Sequence, residues 1–459
     1  MKVLDNAQWV EEHFSNCDLG DPRRNKRLQT VAKNMLDAPD QSLCKQNTKW
    51  SDLKAAYGLF NRPEATLDSI ASSHWNKTRD TKPGRYLLIS DTTDIDHFSH
   101  KATTGLGMLG SGVGRGFQLH NCLMYDCDNE QIVGEAGAIL FKRKHVPKDE
   151  TRTQRLKRYR ESSLWGDLVD RIGPSPEGSQ WVHVFDRGGD SFETMCHIVR
   201  TGDDWVIRAS RLSRKVIDNR GEKVSLRQAV GNAMRVGTYE LSLRSRPGVK
   251  ARTATMEILV AEVTFPRPSQ VSPKIRSFGI EEITMNVVVV REVNAPKGVS
   301  SIEWVLLTSL PAATLEDAWQ VVSDYENRWL IEEYHKVLKS GCNLEGHSLR
   351  SADRLEAQIA LTSVIGVRLF QLKLVGRNDQ TAKARNRIPH AWLRCLAVYR
   401  PKLKLTKLTV YEFFRQVANL GGFIGRKSDG EPGWHTIWYG FQKLQLLVAG
   451  MELADTKKA

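Results

Sequence analysis

The sequence predicts a mixed α/β protein: a mixed sheet covered by helices, an antiparallel β insertion, and helical regions at both ends. Three observations predict it. Short apolar runs suited to buried strands, such as Tyr86-Leu87-Leu88-Ile89-Ser90 and Trp181-Val182-His183-Val184-Phe185, alternate with helical stretches over residues 81–210. Residues 211–312 abandon that alternation for strand-like runs separated by Pro, Gly and Ser clusters. Residues 1–80 and 376–459 read as helices.

In chain order, residues 7–14, 21–36 and 51–60 have helical patterning, and Asp21 before Pro22 is a helix-start signal. Arg23, Arg24, Lys26 and Arg27 fall in the first turns of the second helix, where cations and an N-terminus could meet a DNA backbone. Residues 1–60 carry nine basic and eight acidic side chains, so net charge does not single out this region. Strands follow at 86–90, running into Asp91-Thr92-Thr93-Asp94, at 117–126 and at 132–141. Next come a basic helical stretch at 151–172, a strand at 181–185 ending in Asp186, a helix at 191–200 and a strand at 205–208. That order suits a mixed sheet with antiparallel strands at one side.

Gly105-Leu106-Gly107-Met108-Leu109-Gly110 matches Gly-x-Gly-x-x-Gly, but more glycines and a strand follow where a dinucleotide fold needs a helix. It reads as a glycine-rich connection. In the insertion, runs at 238–243, 255–263, 284–291 and 302–308 read as strands, and residues 208–252 hold twelve Lys/Arg against three Asp/Glu. Phosphate contact is the natural use of that surplus, with a solvated basic surface as the alternative. Residues 315–341 and 351–376 read as helices, the latter with an apolar stripe that completes the core. The remainder is helical with glycine breaks at Gly421-Gly422 and 425–433. Residues 437–453 offer Trp438, Phe441, Leu444, Leu446, Leu447 and Val448 for internal packing or for a second copy, and the tail at 455–459 is expected to fray.

The 459 residues allow two to four domains, and a net charge of +14 with a pI near 9.4 favours a polyanionic partner, nucleic acid before anionic membrane. The pattern suggests no apolar run near the roughly 18 residues of a membrane span, and no signal-peptide core at the start, so a cytoplasmic protein is expected. Seven scattered cysteines without a C-x-x-C argue against a zinc site or a disulfide framework.

The chemistry concentrates in residues 315–341. On a continuous helix Tyr325, Arg328, Glu332 and Lys339 fall within an arc of roughly 60°, with Lys336 at its edge. A carboxylate there could hold a metal and the cations could hold phosphates; the alternative is a solvated face with a Glu332–Lys336 ion pair. Asp91 and Asp186 each stand at the C-terminal end of a predicted strand, where open α/β sheets carry their sites. Should the two strands be neighbours, a helix packed on them can bring in Glu332. Two aspartates and a glutamate make a hard oxygen site suited to Mg²⁺ or Mn²⁺. Two such ions about 4 Å apart clamp the attacking and leaving oxygens of a phosphoryl displacement. The chemistry implied is phosphodiester cleavage or transfer.

Asp91-Thr92-Thr93, Asp186-Arg187-Gly188-Gly189-Asp190 and the spaced Tyr325, Arg328, Glu332, Lys339 signature resemble bacterial DDE cut-and-paste transposases of the insertion-sequence-four family, of the transposon-five type. Leu19-Gly20-Asp21-Pro22-Arg23-Arg24, the glycines from 105 to 116 with His120, and Trp304-Val305-Leu306-Leu307-Thr308-Ser309 extend the resemblance collinearly over about residues 7–450. One departure is Gly188, where the family type carries a glutamate. The resemblance implies an RNase H-like core (81–210 and 313–375) interrupted by the β insertion (211–312). It also implies an N-terminal domain (1–80) that binds transposon ends and a C-terminal region (376–459) that pairs two protomers.

It further implies Asp91, Asp186 and Glu332 as ligands of two Mg²⁺ ions, and Tyr325, Arg328, Lys336 and Lys339 as phosphate contacts. Trp304 would stack on a flipped base during a hairpin step, and Arg208 would touch DNA, with Arg23, Arg24 and Arg27 at the transposon end. The expected function is end cleavage and strand transfer by a homodimer on double-stranded DNA, in association with the nucleoid. The alternatives are a nuclease without strand transfer and a non-catalytic DNA-binding repressor.

Overall fold

The computed structural model describes residues 3–456 apart from 111–112, 145, 147–148, 152–153, 155–157, 244–250, 297, 379 and 427–428. Five helices open the chain: α1 (Asn6–Phe14), α2 (Pro22–Asp37), α3 (Leu43–Gln46), α4 (Trp50–Phe60) and α5 (Leu67–Arg79). The start of α2 is set locally, because the Asp21 carboxylate accepts the Arg23 N–H at 2.8 Å and Pro22 needs no partner in the first turn. Helix α5, which the sequence had not resolved as a unit, starts at a Thr66–Ser69 capping box.

Strands β1 (Arg85–Asp96), β2 (Gly107–Leu109), β3 (Gly114–Asp126) and β4 (Gln131–Phe141) come next, then α6 (Ser163–Ile172), β5 (Gln180–Phe185), α7 (Phe192–Thr201) and β6 (Asp204–Arg208). The insertion supplies β7 (Lys215–Asp218), β8 (Lys223–Ser225), α8 (Leu226–Gly231), β9 (Met234–Leu243), β10 (Arg252–Pro266), α9 (Pro273–Ser277), β11 (Glu282–Glu292) and β12 (Glu303–Thr308). The chain ends in α10 (Leu315–Glu326), α11 (Trp329–Lys336), α12 (Ala352–Asn378), α13 (His390–Tyr399), α14 (Val410–Leu420) and α15 (Trp434–Thr456).

Among the described residues the strands form one sheet in the order β2-β3-β1-β5-β6-β12-β11-β10-β7-β8, with β4 on β3 and β9 on β10. Strands β1, β5 and β6 are parallel; the rest pair antiparallel. The insertion is therefore a continuation of the core sheet. Its last strand, β12, pairs with β6 and covers what would otherwise be an open edge. Helices cover both faces, as the near-continuous apolar runs of β1 and β5 require. Leu87, Ile89, Val182, Val184, Val206 and Leu306 face a core shared with the N-terminal helices and α10–α12. On the opposite face Phe185, Ile207, Val305 and Leu307 pack on α6 and α7, and Tyr86, Leu88 and Trp181 pack on α6.

Several expectations need correction. Strand β1 does not end at Asp91 but runs to Asp96, because its antiparallel partner β3 continues beside it as far as Gly116 after parallel β5 has stopped at Phe185. The glycine-rich connection contains a short strand, β2, paired with β3, and its residues 111–112 lie outside the described residues. Of the helix expected at 151–172, Ser163–Ile172 is helical, and 152–153 and 155–157 lie outside the described residues, as do 244–250 of the basic stretch and 457–459 of the tail.

The single helix expected over 315–341 is two helices and a π turn. Around Asn327 and Arg328 the bonds tighten to i→i−3, with Arg328 N–H to Tyr325 O at 3.0 Å and Ile331 N–H to Arg328 O at 3.2 Å. One helix, Ala352–Val375, does satisfy the length and composition of a membrane span, with a mean hydropathy of 1.3 over its most apolar window. That window is entirely buried inside the fold, so it is a core helix that is apolar on every side.

Candidate active site

Strand alternation builds the site. Asp91 follows Leu87 and Ile89 in parity, Asp186 follows Val182 and Val184, Arg208 follows Val206, and Trp304 precedes Leu306, so all four belong to the sheet face that α10–α12 cover. The β1–β5 register ends at Ser90 opposite Phe185, which leaves Asp91 and Asp186 as the next residues of neighbouring parallel strands. Phe185 is likewise opposite Ile207, which brings Asp186 level with Arg208. Helix α10 crosses β5, β6 and β12, and α11 packs on β1. The approach of α10 is fixed by Arg85 at the start of β1, whose Nη1 lies 2.9 Å from Oδ1 of the buried Asp324.

Arg328, at the junction of α10 and α11, joins the acids. Its Nη1 is 3.4 Å from Asp91 Oδ2, and its Nη2 makes a close ion pair with Glu332 one turn on. Asp91 also accepts its neighbour Thr92's N–H at 2.7 Å. Burial pushes the Asp91 carboxyl up to about 6; the charges of Asp186 and Glu332 push the same way, while the Thr92 N–H and Arg328 oppose them. Asp186 is engaged locally, accepting the Gly188 N–H at 2.7 Å as it caps a short 3₁₀ turn, Arg187–Gly189. The Asp91 carboxylate thus feels both Asp186 and Glu332, with the Arg328 guanidinium held between Asp91 and Glu332; the three acids do not bring their oxygens all within 4.8 Å of one another. An all-oxygen donor set with excess negative charge fits a hard divalent cation.

The cations and aromatics of the signature separate more than a continuous helix would allow. Tyr325 is buried on α10, its ring edge-on to Trp304 at 5.5 Å, and the Arg208 charge acts on its hydroxyl. Trp304 is half-buried in β12, and Arg208 also donates to Glu303 O at 3.2 Å. Lys336 is exposed at the end of α11; Lys339, in the π turn, lies 3.3 Å from Glu345. In the N-terminal helices, Arg24 and Arg27 pair with Glu64 and Asp52 at 2.9 Å each, whereas Arg23 projects into solvent beside Asp21.

Two further features stand out: His120, which the sequence marked only through the resemblance, and an acidic cluster with no sequence signal. His120, buried on β3, meets the Thr92 hydroxyl at 2.8 Å through Nδ1 and lies against Trp165; burial holds it down to about 3, so it is neutral. Asp167, Asp170 and His197 bring ligand atoms within 4.8 Å of one another on α6 and α7. That cluster is apart from the Asp91 row, and the Lys274 ammonium spans both of its aspartates, at 2.8 Å and 3.1 Å.

Three family models match the chain: a transposase DNA-binding model over residues 6–65, a transposase DDE domain over 155–365, and a Tn5 transposase dimerisation domain over 364–458. The chain is a Tn5-like DDE transposase. The DDE match of this transposase includes Asp186 and Glu332 and begins after Asp91, whose association with them rests on the sheet register and on Arg328. The transposase thus combines an RNase H-like nuclease and transesterase domain, which implies divalent-metal use, with a DNA-binding domain before it and a dimerisation domain after it.

Proposed function

We propose that this transposase cleaves at transposon ends and joins the freed 3′-hydroxyls to target DNA by a cut-and-paste route through a hairpin intermediate, as a homodimer on two ends. The observation that carries this reading is the pairing of Asp91 and Asp186 at adjacent parallel strands with Glu332 tied to Asp91 through Arg328. Asp91, Asp186 and Glu332 would hold two Mg²⁺ ions, with Mn²⁺ as a substitute. When bound, such ions stabilise the attacking and leaving oxygens of an in-line displacement.

The chain's own groups orient the DNA. Arg328, once freed from the carboxylates, and Lys336 and Lys339 on the same segment would bind phosphates beside the cleaved end. Arg208 and the Tyr325 hydroxyl stand together next to Asp186, suited to the adjacent backbone. Trp304 offers an aromatic platform for a base turned out of the duplex, whose unstacking costs a few kcal/mol. Arg23, Arg24 and Arg27 would meet the transposon end in the N-terminal domain.

The test uses Asp91→Asn, Asp186→Asn and Glu332→Gln, assayed on duplex DNA from the flanks of the encoding gene with Mg²⁺ or Mn²⁺, mapping 3′ ends and joined products. Each variant is expected to lose cleavage by at least about 10³-fold while retaining DNA binding. Full cleavage by all three would defeat the reading. Cleavage by the parent without joining of a pre-cut end would reduce it to a nuclease.

A further inference from the structure

The buried face of the Glu332 helix is attached to the sheet by polar bonds that converge on one side chain. Glu135, in mid-β4, is wholly buried. Its Oε1 accepts the Asn121 amide N–H at 2.7 Å and lies 3.2 Å from the Tyr334 hydroxyl. Its Oε2 accepts the Trp75 indole N–H at 2.8 Å and lies 3.3 Å from the Ser363 hydroxyl. These partners come from β3, α11, α5 and α12. Asn121 is the residue directly opposite Asp91 in the β1–β3 ladder, and its Oδ1 meets Nε2 of His335 at 2.9 Å. Tyr334 and His335 follow Glu332 by two and three positions on α11.

Hydroxyl protons decide which of these bonds are committed. Tyr334 and Ser363 each have one, with nearer backbone acceptors in Ser363 O at 2.8 Å and Ala360 O at 3.0 Å. The indole and amide N–H groups have Glu135 as their acceptor, one on each oxygen. A buried carboxylate is costly, and burial does hold this carboxyl above the usual range while its hydrogen bonds pull it back. An apolar residue would avoid that cost but strand the donors of Trp75 and Asn121.

We propose that Glu135 is a positioning residue for the transposase reaction: through Asn121, whose Oδ1 meets His335, it fixes the seat of α11 on β3, and so the approach of Glu332 to Asp91 and Asp186. Glu135 itself touches neither DNA nor the reacting atoms. The inference rests on the acid-triad reading above, and its test separates the two.

Full-length Glu135→Gln, His335→Phe, the double variant and Asp91→Asn are compared on the same flank-derived duplex. The readouts are the DNA Kd, the single-turnover cleavage rate at saturating DNA across a Mn²⁺ series, and the thermal unfolding midpoint. Glutamine keeps the volume but turns an N–H toward a donor that has no other acceptor. The expected result is a cleavage rate 10- to 100-fold lower, the range typical of residues that orient metal ligands. The Kd should stay within about two-fold of the parent and the Mn²⁺ needed for half-maximal rate should rise; the double variant should be no slower than the slower single one.

Parental rate and Mn²⁺ response in Glu135→Gln would overturn the proposal, and so would a rate loss matched by an equal loss of DNA affinity. Should Glu135→Gln fail to fold, His335→Phe, which keeps a ring but removes the bond to Asn121, decides: parental rate there overturns the proposal. Asp91→Asn is the reference: cleavage by it defeats the triad reading, whereas an inactive Asp91→Asn beside a fully active Glu135→Gln defeats only this one.

Discussion

Asp91 and the buried histidines respond to burial in opposite senses, and their balance makes a pH prediction at the residue scale. Burial pushes His13 down to about 2, His74, His120 and His335 to about 3, and His97 to about 4. A depressed imidazole binds its proton only in the unfolded chain, so its stabilising effect is complete above about pH 6.5 and is lost as pH falls below that. Asp91, raised to about 6, works the other way: its penalty is relieved as pH falls through 6, and the raised Glu135 carboxyl acts in the same sense. With His347 also lowered and Glu326 also raised by burial, six imidazoles outweigh three carboxyls. The unfolding free energy from urea denaturation should therefore drop between pH 7.5 and pH 5, by on the order of 2 kcal/mol or more, and a flat profile would contradict the burial of these rings. The burial of these rings was not legible in the sequence, where a histidine carries no mark of its neighbours.

Secondary-structure elements were largely legible because their causes are local. The Asp21-Pro22 start of α2, the apolar run of β5 and the long apolar stretch of α12 are short-range patterns, and the helices and strands appear where those patterns lie. The failures are elements whose limits come from a distant partner. Strand β1 is prolonged by β3, and the 315–341 helix breaks at Asn327–Arg328 where α10 and α11 lie on different strands of the sheet.

The α14–α15 pair yields the element-scale prediction. A Cβ on Gly440 would fall 1.7 Å from Val417 O, and one on Gly421 1.8 Å from Thr436 O, so these two backbones touch. Gly440→Ala should destabilise by about 1–3 kcal/mol in urea denaturation. Gly450→Ala, in open space on the same helix, should be neutral or slightly stabilising.

At the scale of the whole molecule, α15 keeps an exposed apolar stripe at seven-residue spacing, Tyr439, Leu446 and Leu453, with Leu446 75% exposed. It lies within the match to the dimerisation domain. Leu446→Glu with Leu453→Glu should abolish the two-end complex in light scattering while leaving single-end binding intact; an unchanged complex would send the dimer contact elsewhere. The sequence by itself determined the local elements, the excess of positive charge and the residue types of the site, because propensity, periodicity and composition act over a few positions. Only the tertiary structure decided that the insertion extends the core sheet, that Asp91 lies in mid-strand, and that Arg328 stands between two acids. Those facts depend on strand order and register, which bring together groups hundreds of residues apart and which no short window of sequence encodes.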